Sequence, residues 1–296
     1  MRLPALLAAL ALTAGLAACD DGRARPSARD VDARVADAEA RLSASEPGRA
    51  VLASIEAHGG LGAWYGSGPL AMRYAYTRLD SLGQPDTSRA PLTTDQLVDA
   101  WRARAVHTVV ADTSQRFGWT GTEAWATSDE LPIDARFWSL TPYYFIGMPF
   151  VLADPGVRLE AADTLTVEGA VAEQVRVTFD PGTGDAPDDY YFLLVDPETR
   201  RVRGVRYVVS YGPFNPDGGH TPETIMLYDG AQAVGGPAGE VVLQGGFRSF
   251  AWDGDARGPG APKARGELTD VSFAPETPDA AFDAPAGVGP LPDPGA

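Results

Sequence analysis

The sequence predicts a mainly β protein with α-helix at its start and in one insert, on three observations. From Leu70 onward, apolar residues recur at every second position in one stretch after another. The separators between these stretches are short and rich in Gly, Pro and Asp. The one segment that breaks the rhythm, Asp134 to Val157, is crowded with aromatic side chains. Short, turn-rich separators join antiparallel neighbours, so the expected sheet is a meander rather than a set of crossovers.

The chain opens with Arg2 and an uncharged Ala/Leu-dominated run from Leu3 to Ala18, which reads as a secretory leader. Its 16 residues fall short of the about 20 that a bilayer-spanning helix needs, and the polar "DDGRARPS" that follows does not extend it. Cys19 is the only cysteine, so no internal disulfide is available. Leu16-Ala17-Ala18-Cys19 resembles the lipobox of bacterial lipoproteins, which implies cleavage before Cys19 and a diacylglycerol on its sulfur. The alternative is an ordinary signal peptide followed by a chance cysteine. With the lipid, acyl chains on one residue hold the protein to a membrane, and no thiol remains for catalysis.

Asp20 to Asp30 is polar and unpatterned, as a tether would be. Val31, Val35, Ala38 and Leu42 recur at helical spacing. Ser43 with Glu46 suggests a capping box for a second helix carrying Val51, Leu52 and Ile55, closed by Gly59 and Gly60. Gly60-Leu61-Gly62 looks like the opening of a dinucleotide fingerprint. Its place after a helix, and Gly66 where the motif needs residue 65, favour a glycine helix cap with Trp64 packed beneath it.

Strands are expected at "LAMRYAY", in a "QRFGWTGTEAWAT" hairpin turning at Thr120-Gly121, and at "VRLEAADTLTV", "VAEQVRVTF", "YYFLLVD", "VRGVRYVVSY", "ETIMLYD", "EVVLQGGFRSFAWD" and "GELTDVSF". His107 alternates within a further strand-like stretch, and at least one of Trp119 and Trp125 is expected to be buried. The insert gathers Phe137, Trp138, Tyr143, Tyr144, Phe145, Met148 and Phe150, interrupted by Pro142 and Pro149. So much apolar surface must lie against the sheet or against a ligand. Phe137, Trp138, Tyr144, Phe145, Met148 and Phe150 are the candidate lining of a binding cavity. A helical turn would bring Tyr144, Phe145 and Met148 to one face.

The lipobox, the "AHGG" helix exit, "GWTGTEAW", "YYFIGMPFVLADPGV", "DDYYFLLVDPETRRVRGVRY" and "SFAPETPDAAFDAPAG" together resemble an uncharacterised family of Bacteroidetes-type bacterial lipoproteins. That family is similar to the lipoprotein carrier and outer-membrane lipoprotein-sorting superfamily. The resemblance runs from Val51 to Ala286. It implies a curved antiparallel β-sheet, a half-barrel, whose concave face is plugged by helices and holds a lipid-like ligand. The expected organisation is a signal peptide over 1–18, a lipid-anchored tether and short helix over 19–43, a half-barrel domain over 44–286 and a flexible tail over 287–296. The expected location is the cell envelope of a bacterium, facing the periplasm or on the cell surface. Asp20 leaves the leaflet open, since it resembles an inner-membrane retention residue in one bacterial group and a surface-export signal in another.

The net charge of -16 and the single lysine among 24 basic residues, Lys263, exclude nucleic acid as a partner. The three histidines, His58, His107 and His220, are far apart and fit no metal motif. His58, in the last turn of a helix, is placed where its charge would suit the dipole. No nucleophile elbow or phosphate loop is present: "YGSGP" around Ser67 has the wrong spacing. Asp180, Asp185, Asp188 and Asp189 suggest either a solvated hairpin tip or a calcium loop, but lack the calcium motif's order. No cofactor and no catalytic residue is assigned. The reading that follows is a non-enzymatic, membrane-tethered binding module for a lipid-like or other apolar ligand. Its alternatives are an envelope scaffold or partner-binding subunit without a ligand, and an unrecognised hydrolase.

Overall fold

A computed structural model describes residues 25–88, 90–186 and 188–294. The leader, Cys19 and the first part of the tether lie outside the described residues. Among the described residues are four α-helices and twelve strands. The helices are α1 (Ala28–Ser43), α2 (Glu46–Ala57), α3 (Gly60–Gly66) and α4 (Ala135–Ile146). Five strands precede α4: β1 (Leu70–Arg78), β2 (Leu92–Asp99), β3 (Arg104–Val109), β4 (Arg116–Trp119) and β5 (Ala124–Ala126). Seven follow it: β6 (Val157–Val167), β7 (Ala170–Phe179), β8 (Tyr191–Val195), β9 (Val202–Tyr207), β10 (Thr224–Gly236), β11 (Gly239–Asp253) and β12 (Gly258–Phe273).

All twelve strands form one antiparallel sheet in the order β5-β4-β3-β2-β1-β12-β11-β10-β9-β8-β7-β6. Every neighbouring pair is consecutive in sequence except β1 and β12, which pair at the centre from Leu70↔Phe273 to Arg78↔Ala264. The chain therefore walks outward from the centre to one edge, crosses to the other through α4, and walks back. Laid flat, edges eleven strand spacings apart would be about 50 Å from each other. The crossing places 12 residues in α4, a rod only about 18 Å long. The sheet is curved and open, with its two arms facing each other across the helices. Register shifts supply bends between Ala71 and Arg73, Ala162 and Leu165, Leu194 and Val195, and Ser249 and Trp252.

Helix α1 is capped by Ser27, which accepts from the Asp30 backbone while Asp30 accepts from the Ser27 backbone. The capping box therefore sits here and not at Ser43/Glu46, because Ser43 is the last residue of α1 and Ser45 caps α2 by accepting from Gly48 N. Val31, Ala38 and Leu42 of α1 are buried in the same core as Val51 and Ile55 of α2. The core thus begins well before residue 44. At the α2 exit Gly59 has φ 108° and Gly60 has φ 83°. A side chain on Gly59 would stand 2.2 Å from the Glu240 carbonyl, so only glycine fits. The turn closes α2 and opens α3, which drives Trp64 into the core at 1% exposure.

The concave face carries the main core, formed by the helices, the 3₁₀ turn Phe150–Ala153 and the inward side chains of most strands. The opposite face of the first arm is covered by the C-terminal segment. There Phe282 packs with Val106 and Trp125, which is 1% exposed, and the Arg104 guanidinium lies 4.6 Å over the Phe282 ring. Arg104 also bridges Asp99 (2.7 Å) and Asp279 (2.6 Å), pinning the segment to β3. Beyond it, Pro290 forms a bridge with Trp125, and Leu291 N donates to Ala124 O at 2.7 Å.

Candidate functional site

Helix α4 is apolar on both faces, and the two faces have different neighbours. Phe137, Leu140, Thr141, Tyr144 and Phe145 recur at the helical repeat and form one stripe. They line a cleft of about 340 Å³ between α4 and the second arm of the sheet. The opposite wall is Phe179 of β7, Tyr191 of β8, Val209 and Tyr211, with Val151 and Val157 at the end where α4 gives way to β6. Tyr144 meets Phe179 and Tyr191 at ring separations of 6.1 and 5.8 Å, and Phe145 meets Tyr207 at 4.8 Å.

The other three candidates point elsewhere. Trp138 lies on the opposite face of α4, with its ring 4.8 Å from Tyr76. Met148 follows the helix rather than sharing a face with Tyr144 and Phe145. The helix ends at Ile146, Gly147 caps it, and Met148 is fully buried. Phe150, in the 3₁₀ turn, is also fully buried and stacks on Trp64 at 4.6 Å. The structure thus brings Phe137, Tyr144 and Phe145 into the cleft and places Trp138, Met148 and Phe150 in the core. Leu140 and Thr141 completed the stripe three and four residues after Phe137, a spacing that was there to be read.

Polar groups at the cleft are largely spoken for. Asp154 accepts from Arg34 (2.9 Å) and from the Tyr65 hydroxyl (3.1 Å), and burial holds its carboxyl above the usual range despite the arginine. Asp189 accepts from the Tyr191 hydroxyl (3.1 Å) and the Ser210 backbone, and burial raises it too. Burial also pushes the phenols of Tyr143, Tyr144 and Tyr191 far above their ordinary value, so they stay neutral. At the rim Arg136 makes a two-pronged pair with Asp185 (2.6 and 3.1 Å). This is a cleft whose walls are apolar and whose charges are internally paired, a shape suited to an apolar guest.

The histidines have structural partners. His58 is fully buried, its Nε2 accepting from Val202 N (3.2 Å) and its Nδ1 facing Val242 O (3.3 Å). Burial, with a smaller push from Arg201, lowers its pKa to about 4. It is therefore neutral at pH 7 and adds no charge to the helix dipole, contrary to the expectation from its position. His107 stacks on Phe117 at 4.4 Å and bonds to Ser139 O (2.8 Å), and burial lowers it to about 4 as well. His220 lies in an exposed loop. The acidic loop does not converge: Asp180 pairs with Arg158, Asp185 with Arg136, and Asp189 turns inward. Among the described residues no group of three His, Cys, Asp or Glu side chains is placed to hold a metal ion.

No protein-family model matches the sequence, and no curated protein matches it. In architecture the chain is similar to a LolA superfamily protein from Nitrosomonas europaea. The TM-score is 0.51 at 9% identity, over 80% of this chain and 97% of that one. It is also similar to a protein from Vibrio parahaemolyticus described as an outer-membrane lipoprotein-sorting protein domain. There the TM-score is 0.47 at 9% identity, over 87% of this chain and 97% of that one. A DUF1329 family protein from Desulfovibrio piger gives a TM-score of 0.48 at 9% identity, over 86% and 98%. At such identity the likeness is one of fold.

Proposed function

We propose, from a fold shared with a LolA superfamily protein, that this chain is a non-enzymatic envelope lipoprotein that binds one apolar or lipid-like molecule. The cleft is the observation that carries this reading. It offers about 340 Å³, which sits at the small end of ligand pockets and suits a single chain or a compact apolar body. Its walls come from the aromatic insert, and its carboxylates are bonded within the protein instead of being aimed at a reacting centre. The ligand-facing residues in this reading are Phe137, Leu140, Tyr144 and Phe145.

The test is fluorescence titration with N-phenylnaphthylamine, an uncharged apolar probe. The wild-type chain should bind it saturably with one site. Leu140→Gln places an amide on the cleft wall and should weaken binding about tenfold, equivalent to about 1.4 kcal/mol, with the melting temperature nearly unchanged. Absence of saturable binding by the wild type would leave the scaffold reading.

Anchoring through Cys19 belongs to the same proposal, resting on the lipobox resemblance of Leu16 to Cys19. Acyl chains on that sulfur hold a protein at a membrane by about 0.8 kcal/mol per buried methylene. Cys19→Ala should therefore move the protein from the membrane fraction to the soluble one, or leave the leader uncut. A processed variant that still sediments with membranes refutes the anchor and leaves the cleft untouched.

A further inference from the structure

The C-terminal segment does more than cover the outer face of the first arm. After the bridge between Pro290 and Trp125 on edge strand β5, it turns over the start of α4. There Arg136 donates to the carbonyls of Leu291 and Pro292 (3.4 Å each) and pairs with Asp293 at 2.8 Å. The same guanidinium holds Asp185, in the β7–β8 loop that forms part of the cleft wall. One residue further, the Pro294 carbonyl stands 3.3 Å from where a side chain on Gly212 would begin. Gly212 belongs to the β9–β10 connection of the second arm. Five residues thus run from one arm of the half-barrel to the other, past the rim of the cleft, with Arg136 as their shared fastener.

We propose that residues 290–294 are a displaceable strap, latched by Arg136, whose release admits the guest to the cleft. The proposal rests on the binding reading above and concerns how that same site is regulated. The strap is held from the outside. Pro292 and Asp293 are exposed and Leu291 is only half-buried. The Asp293 side chain is 77% exposed, against 8% for Arg136. An ion pair with one partner in solvent is screened by salt, and none of residues 290–294 belongs to a core cluster, so the strap can lift without disturbing the main core. Arg136 keeps Asp185 when it does, so the loop wall stays in place.

Stopped-flow mixing with N-phenylnaphthylamine tests the strap. A chain ending at Gly289 should take up the probe about tenfold faster than the full chain, the factor imposed by a strap closed about nine-tenths of the time. Asp293→Asn, which leaves every cleft-lining residue intact, should fall between the two. High salt should speed the full chain and leave the shortened one unchanged. Equal rates for all three chains would overturn the strap while upholding the binding reading. If no chain binds the probe, the binding reading fails and a thiol decides the strap on its own. Leu140→Cys in a Cys19→Ala background should then be labelled faster without residues 290–296 than with them, and equal labelling sinks the proposal.

Discussion

Replacing Trp64 with alanine should lower the unfolding free energy by about 3–5 kcal/mol. Trp64 is 1% exposed and its ring lies nearly parallel to two others, Phe150 (4.6 Å, 8° between planes) and Tyr143 (6.4 Å, 5°). These rings come from α3, the 3₁₀ turn and α4, so one side chain ties the N-terminal helices to the distant insert. Its indole nitrogen has no hydrogen-bond partner among the described residues, so the substitution removes no polar bond and its cost is that of the cavity. Urea midpoints of wild type and variant measure it. A loss below about 1 kcal/mol would mean that the stack is not the core we describe. Because Tyr143 and its neighbours position the cleft stripe, probe affinity should fall with stability.

Acidification from pH 7 to pH 4 should also destabilise the fold, by about 3 kcal/mol for each of His58 and His107. Both have folded-state pKa values of about 4 against an ordinary 6.5. The unfolded chain therefore binds protons first as pH falls. Stability present above pH 6.5 drains away between about 6.5 and 4, and the loss is complete below the folded value. The chemistry at His58 explains the sign. Neutral imidazole supplies one acceptor for Val202 N–H and one donor for Val242 O, whereas protonation sets two donors against each other at Nε2. The raised carboxyls of Asp154 and Asp189 act oppositely, gaining their protons in the fold before the unfolded chain gains them, and so offset part of the loss. Ring-proton NMR separates the two effects: neither buried histidine should titrate near 6.5, and a His107 that did would refute the assignment.

The meander was legible because most strands are half-buried and their side chains alternate accordingly. β2 escaped for an identifiable reason, and β3 was legible only as the strand-like stretch around His107. Thr94 and Gln96 of β2 face inward, at 1% and 3% exposure, which breaks the apolar rhythm of "LTTDQLVD". β3 is buried on nearly every residue because α4 covers one face and the C-terminal segment the other, so the alternation around His107 does not mark an exposed face. The aromatic insert was legible as something that must be covered, but composition does not say by what. Sorting its rings between cleft and core required knowing where α4 stops, and Gly147 rather than a proline stops it. The strap left no trace in sequence at all: "PLPDPG" looks like a loose end until Trp125 and Arg136 are placed beside it.

The pairing of β1 with β12 sets a timetable for folding. Each arm is built from hairpins between consecutive strands, contacts that close small loops and form fast. The seam between the arms joins Leu70 to Phe273, and so waits for nearly the whole chain. Until residue 273 is present, β1 and β11 are two long, unpaired edges, each able to recruit a strand from another molecule. A chain stopped short of β12 is therefore two half-sheets with sticky margins, and the last strand to be made is the one that covers both.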